Sequence, residues 1–242
     1  MRETLIQFIS GIRDFLVQKF QAYNQKLPYV IIVIVSLIVV VGSINLFVEL
    51  TDTLKTDTLA RLDDEVTQFI ISFRTPALTE YFIFMTKAGD LYGYLIVVGI
   101  YLLISKLILK KWKYVIQTSL VLILATASNV MLKRFINRAR PGIEHMVSVE
   151  TLSYPSGHAM SAMAFYGFLI YLCTKFRINK FLKMGLIALI AFIILSIGIS
   201  RIYLGVHFPS DIVGGYIAGL IWVVFCILVL NLIEIFRRDP VA

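Results

Sequence analysis

Residues 133–141 read KRFINRARP, residues 155–158 read PSGH, and residues 200–211 read SRIYLGVHFPSD. Each of these polar clusters lies at the end of an apolar run, where a helix of a membrane protein would meet the border of the bilayer. Charged and titratable side chains are costly in or near hydrocarbon, and proteins keep them there mainly for a function. We therefore interpret the rest of the chain as a scaffold that brings the three clusters together.

The composition indicates a membrane protein. The chain has 242 residues, of which 59% are hydrophobic, and a formal charge of +8. These values exclude a disordered chain, and the basic residues form no nucleic-acid-binding tract, because they occur mostly in short groups between apolar runs. We expect the lipid bilayer as a partner and no nucleic acid, and the sequence predicts no particular oligomeric state.

The apolar runs predict an all-α, polytopic membrane protein with six transmembrane helices and additional amphipathic helices on the surface. The first 27 residues have helical hydrophobic spacing and predict an interfacial amphipathic segment, and residues 28–242 form a single membrane domain. Residues 54–73 predict a second surface helix, which ends near Pro76. The six predicted spans are residues 29–47, 91–109, 114–132, 159–174, 184–200 and 212–233.

The distribution of Lys and Arg predicts the orientation. Six spans place the basic groups at the N-terminus and at residues 106–113, 175–183 and 237–238 on one side. The positive-inside rule assigns that side to the cytoplasm. We therefore expect a multi-pass plasma-membrane protein with both termini in the cytoplasm and the three polar clusters facing outward.

The third cluster has the residues of an activated nucleophile. Pro209 suits the first turn of the last helix, so His207 lies just before that turn and Asp211 within it. Asp211 can then accept a hydrogen bond from one ring nitrogen, which leaves the other free to attack phosphorus. On its own, the pair also fits a purely structural hydrogen bond.

The second cluster predicts a helix start that can bind an anion. Pro155 and Ser156 precede the helix, and the backbone N–H groups of Ser156 and Gly157 can point at a phosphate. His158 would then lie beside that phosphate as a general acid, and later as a base for water. Alone, these four residues are a weak signal and are more typical of an ordinary capping turn.

The cations of the first and third clusters can neutralise a phosphoryl transition state. Lys133, Arg140 and Arg201 supply positive charge, and an Arg fork can hold two phosphate oxygens. The alternative for the basic loop is an anchor at the lipid interface. We assign that anchoring role to Arg134 and Arg138.

Together the three clusters resemble the tripartite signature of the type 2 phosphatidic acid phosphatase family, over about residues 80–235. The resemblance implies a lipid phosphatase domain whose helices surround the site. It implies a phosphohistidine on His207, oriented by Asp211, and a lipid phosphate substrate that enters sideways from the bilayer. The candidate lipids it implies are phosphatidylglycerol phosphate, undecaprenyl diphosphate and phosphatidic acid. The orientation predicted from the basic residues places their headgroups at the outer face.

Neither a metal nor a cofactor is expected. The acidic run Asp63-Asp64-Glu65 is interpreted as a solvated helix face, because adjacent acids on a helix point in different directions. His145 is interpreted as a solvated loop residue. Two alternatives remain open at this point: a lipid phosphotransferase on the same fold, and a membrane transporter or lipid-binding protein whose charges line a pathway.

Overall fold

The computed structural model describes residues 27–104, 112–149, 151–176 and 178–238. The amphipathic segment predicted for residues 1–27 lies almost entirely outside this part of the chain. The described residues form helices and loops, and the predicted all-α class is confirmed. The helices in these residues are α1 (Leu27–Thr53), α2 (Asp57–Ile71), α3 (Pro76–Ala88), α4 (Leu91–Ile104), α5 (Lys113–Ile136), α6 (Gly157–Lys175), α7 (Lys180–Tyr203) and α8 (Pro209–Arg238).

Four helices in the described part of the chain are long and apolar enough to cross a membrane. Their spanning segments are Val33–Thr53 in α1, Lys113–Ile136 in α5, Lys180–Tyr203 in α7 and Pro209–Ile233 in α8. Helices α3 and α4 would add a fifth span if they count as one broken helix, because they meet at a 65° bend. The polytopic architecture is thus confirmed, while the number of six spans stays a prediction.

Helix α6 lies at the centre of the bundle, where it packs against α5, α7 and α8. It is not among the four helices that are long and apolar enough to span a membrane, and nearly all of its residues are buried or half-buried by protein. Two glycines of α8 allow it to approach α6 closely. A Cβ on Gly215 would lie 2.7 Å from the backbone carbonyl oxygen of Ser156, and one on Gly219 would lie 2.5 Å from that of Met160. Small residues four apart permit such close helix packing in membranes, so they place the start of α8 against the start of α6.

The helix directions bring the three polar clusters to one end of the bundle, which we call the site end. Helices α5 and α7 end there, and α6 and α8 begin there. Helix α1 also ends there, because the Thr51 hydroxyl donates to the Tyr154 hydroxyl at 3.2 Å. Lys113, Lys175 and Lys180 lie at the opposite end, where α5 begins, α6 ends and α7 begins.

The predicted surface helix is present as α2, which begins after the N-cap Thr56. Asp64 and Glu65 are exposed, as predicted, but the prediction for Asp63 is wrong. Asp63 is 1% exposed, because α2 packs one face against α7 and α8. Asp63 and Thr67 lie one helical turn apart on that buried face. A carboxylate of the predicted solvated run is therefore part of the interior at the site end.

Candidate active site

His207 and Asp211 form the centre of the site. His207 is 2% exposed, and its Nδ1 lies 3.2 Å from Oδ2 of Asp211. The same carboxylate oxygen accepts from the backbone N–H of Phe208 at 2.8 Å and from the hydroxyl of Ser153. Helix α8 begins at Pro209, as predicted, so that local backbone geometry brings the two side chains together.

The electrostatics keep the imidazole of His207 neutral. Its pKa is lowered to about 3, chiefly by burial and also by the charges of Arg201 and Arg140, while Asp211 acts in the raising direction. With the Nδ1–H donated to Asp211, the lone pair lies on Nε2, which is 3.3 Å from Nη1 of Arg140. His207 can therefore act as an uncharged nucleophile across the neutral pH range.

The second cluster starts α6, as predicted, and Ser156 occupies the N-cap position. Its backbone N–H donates to the carbonyl of Asp211 at 3.0 Å, which joins the second cluster to the third. Gly157 is tightly placed, because a Cβ there would lie 3.0 Å from Oδ1 of Asn129. Asn129 in turn donates to the carbonyl of Pro155 at 3.0 Å, so α5 supports the turn that precedes α6.

His158 stands at the start of α6 and contacts a residue outside the three clusters. Its Nε2 lies 2.7 Å from Oδ1 of Asp90, which sits between α3 and α4. The bend between these two helices thus places a carboxylate beside the imidazole. Asp90 was not among the predicted site residues, since no fixed spacing in the sequence links it to His158.

Lys133 and Arg140 converge on the segment that precedes α6. Lys133 is 9% exposed and donates to the hydroxyl of Thr151 at 2.9 Å and to the carbonyl of Leu152 at 2.7 Å. Arg140 donates to the carbonyl of Thr151 at 2.6 Å and to that of Val206. One short segment therefore holds both Lys133 and Arg140, and Arg140 also reaches His207.

Two of the predicted site residues have a buried donor without a hydrogen-bond partner among the described residues. One is the hydroxyl of Ser156 and the other is Nε of Arg201. Arg201 is 5% exposed, and its Nη1 donates to the hydroxyl of Thr86 in α3. Buried donors rarely lack partners in native proteins. Both residues belong to the set that the sequence assigned to phosphate binding.

The prediction that Arg138 is an interfacial anchor is wrong. Its guanidinium is largely buried and donates to Asp211 at 2.7 Å and to Asp63 at 2.8 Å. Arg134 is exposed, which is compatible with an anchor. His145 is exposed in the loop, with its Nε2 3.0 Å from the carbonyl oxygen of Pro141, and it contacts none of the predicted site residues.

Comparison with known proteins gives consistent matches. Residues 114–234 match the family model of the PAP2 superfamily. The chain is 30% identical over 182 residues to phosphatidylglycerophosphatase B of Bacillus subtilis, a match that covers 72% of this chain and 86% of the relative. It is also 31% identical over 101 residues to the lipid A 1-phosphatase of Rhizobium etli, covering 37% of this chain and 38% of that protein.

Two solved structures share the fold. The crystal structure of a transmembrane PAP2 type phosphatidylglycerolphosphate phosphatase from Bacillus subtilis matches with a TM-score of 0.71 and 26% identity, over 85% of this chain and 100% of that one. The crystal structure of Aquifex aeolicus LpxE matches with a TM-score of 0.56 and 24% identity, over 69% of this chain and 94% of that one. The second likeness concerns the fold alone.

Proposed function

This chain belongs to the PAP2 superfamily and is a membrane lipid phosphatase, and from that membership we propose that it hydrolyses a terminal lipid phosphate through a phosphohistidine on His207. The transporter alternative is not retained, since the family relatives are phosphatases. The roles of the individual residues, the substrate and the face of the membrane are parts of the proposal.

The observation that carries the proposal is the arrangement around His207. Its ring is buried and neutral, Asp211 holds Nδ1, and Nε2 lies beside the guanidinium of Arg140. The unpartnered donors of Ser156 and Arg201 lie at the same end of the bundle. Phosphoryl transfer requires an oriented nucleophile and donors that can bind the phosphate oxygens. Here Asp211 orients the imidazole through Nδ1, Nε2 is the attacking atom, and the donors lie around it.

In the first step, Nε2 of His207 attacks phosphorus and the bond from phosphorus to the lipid oxygen breaks. Burial lowers the pKa of His158, whereas Asp90 raises it and the bound phosphate also favours the protonated ring. The protonated His158 donates a proton to that leaving oxygen, so the lipid departs as a neutral alcohol, or as a monophosphate when the substrate is a diphosphate. Lys133, Arg140 and Arg201 offset the charge on the phosphoryl oxygens in the transition state. The product of this step is a phosphohistidine on the enzyme.

In the second step, water attacks the phosphohistidine. His158, now neutral, accepts a proton from that water, the bond between nitrogen and phosphorus breaks, and inorganic phosphate leaves. His207 recovers its lone pair, and Asp211 keeps the proton on Nδ1 throughout. No bound metal ion takes part in this sequence, because three side-chain cations supply the positive charge.

Phosphatidylglycerol phosphate is the first choice among the three candidate lipids. The relative that shares 30% identity over 86% of its own length is named a phosphatidylglycerophosphatase. Undecaprenyl diphosphate and phosphatidic acid present the same terminal phosphate and remain the competing substrates.

We expect purified protein in detergent to release inorganic phosphate from phosphatidylglycerol phosphate in excess EDTA at the same rate as without EDTA. The physical reason is that the positive charge in the proposed mechanism comes from the side chains of Lys133, Arg140 and Arg201, which EDTA cannot remove. Parallel assays with undecaprenyl diphosphate and phosphatidic acid then rank kcat/KM. Loss of activity in EDTA with recovery in Mg²⁺ would overturn the metal-independent mechanism, and transfer of the phosphate to an acceptor lipid would favour a transferase.

We place the site on the extracytoplasmic side. The described lysines Lys113, Lys175, Lys180 and Lys183 lie at the opposite end of the bundle and support this orientation through the positive-inside rule. Helix α1 begins at that opposite end, and α8 ends there. This fits the proposal that both termini are cytoplasmic.

Cysteine labelling tests the orientation. In a background without Cys173 and Cys226, Glu144→Cys in the exposed loop at the site end should react with a membrane-impermeant maleimide added to intact cells. The matched variant Lys180→Cys, exposed at the opposite end, should react only after the membrane is permeabilised. The reverse pattern would place the site in the cytoplasm.

A further inference from the structure

Asp63 is a buried carboxylate that belongs to none of the three clusters. It lies on α2 and its two oxygens accept three hydrogen bonds from residues near the active site. Oδ1 accepts from the backbone N–H of Ser210 at 2.9 Å, and Oδ2 accepts from the Ser210 hydroxyl at 2.6 Å and from Arg138 at 2.8 Å. A buried charge requires such donors to offset its loss of hydration.

Arg138 lies between Asp63 and Asp211. Its Nη2 donates to Asp63, and its Nη1 donates to Oδ1 of Asp211 at 2.7 Å and to the Ser210 hydroxyl at 2.7 Å. The guanidinium also lies 4.4 Å from the centre of the Phe208 ring. It is therefore held from several sides, and one of these contacts comes from a helix outside the signature region.

The two oxygens of Asp211 have separate partners. Oδ1 faces Arg138, while Oδ2 faces His207, Ser153 and the backbone of Phe208. The position of Arg138 therefore fixes the rotation of the Asp211 carboxylate from the side opposite to His207. A chain of direct contacts runs from Asp63 through Arg138 and Asp211 to the imidazole.

We propose that Asp63 is a positioning residue of the active site, which holds Arg138 so that Asp211 orients His207 for attack. This inference rests on the proposed role of His207 as the nucleophile. The proposal gives α2 a role in the active site, because Asp63 on this helix and Asp211 are the two carboxylates that bind the guanidinium of Arg138.

The variant Asp63→Asn tests the proposal, because it keeps the shape of the side chain and removes its charge. We expect kcat to fall by about 10- to 100-fold, the cost of a small misplacement of reacting groups. KM should stay close to the wild-type value, because the contacts of Lys133, Arg140 and Arg201 do not involve Asp63. Asp64→Asn, one residue along on the exposed face, is the matched control and should behave like the wild type.

A double-mutant cycle separates positioning from a merely structural role. If Asp63 acts through Arg138, then Asp63→Asn should change kcat little in an Arg138→Met background, since residues in one network are not additive. If Asp63 only anchors α2 on Ser210, the two losses should multiply. Multiplied losses, or a wild-type kcat for Asp63→Asn, would overturn the proposal.

Arg138→Lys provides the test if Asp63→Asn does not purify as a folded protein. A lysine keeps the charge but cannot bond both carboxylates as the guanidinium fork does, so kcat should fall with little change in KM. An unchanged kcat overturns the proposal. His207→Ala is run beside these variants: if it remains active, the proposed nucleophile fails, whereas an inactive His207→Ala with wild-type Asp63→Asn and Arg138→Lys rejects only the role of Asp63.

Discussion

Replacing His207 with alanine is expected to lower kcat/KM for the lipid substrate by about 10⁵-fold or more, the scale of loss when a covalent nucleophile is removed. The reason is that the proposed reaction has no second route: the other histidine of the site lacks a buried partner like Asp211, and its Nε2 faces Asp90. Phosphate release measured in detergent checks this expectation.

His145→Ala is the matched control, because it removes an exposed imidazole from the loop at the same end of the bundle. It should keep wild-type activity. The wild type should also incorporate label from a lipid carrying a radioactive terminal phosphate, in a bond that is stable to base and labile to acid, and His207→Ala should not. Turnover by His207→Ala at a rate near that of the wild type would refute the phosphohistidine mechanism.

Replacing His158 with alanine is expected to lower kcat/KM for the lipid by about 10²- to 10⁴-fold, the usual contribution of a general acid. An alkoxide is a poor leaving group, so the proton from His158 matters greatly in the first step. The effect should depend on the leaving group. With an aryl phosphate such as p-nitrophenyl phosphate, whose phenolate leaves without a proton, the same substitution should cost less than about tenfold.

The value of kcat/KM is the right quantity here, because it reports the steps up to the first irreversible one and so isolates formation of the phosphohistidine. In the proposed mechanism His158 also takes part in the hydrolysis of that intermediate, so its loss would affect kcat with either substrate. An equal loss of kcat/KM with the lipid and with the aryl phosphate would contradict the role of a general acid. It would instead indicate that His158 binds the phosphate.

The features of the site that arise from residues close together in the sequence could be predicted. Helix α8 starts at Pro209, and α6 starts directly after Ser156, as predicted, because helix starts are decided by the residues at the first turn. The same locality explains why His207 and Asp211 meet, since one helix start brings them together. The long apolar runs likewise predicted the membrane-spanning helices α1, α5, α7 and α8.

Membrane helices of moderate apolarity were harder to interpret. Helix α6 was predicted as a span, and this stays a prediction; the structure shows it as the central helix of the bundle, packed against α5, α7 and α8. The bend between α3 and α4 was not predicted, because the sequence shows only an amphipathic piece followed by an apolar run. That bend brings Asp90 to His158, so it decides a contact of the site.

By itself, then, the sequence determined the all-α membrane class, the family and the residues of the three clusters, because these depend on composition, local capping and fixed spacing. Only the tertiary structure decided the partners of Arg138, which the sequence assigned to the lipid interface, and the burial of Asp63, which it assigned to solvent. These two residues are 75 positions apart. Their ion pair exists because α2 folds back onto α7 and α8, and such long-range packing leaves no periodic signal in the chain.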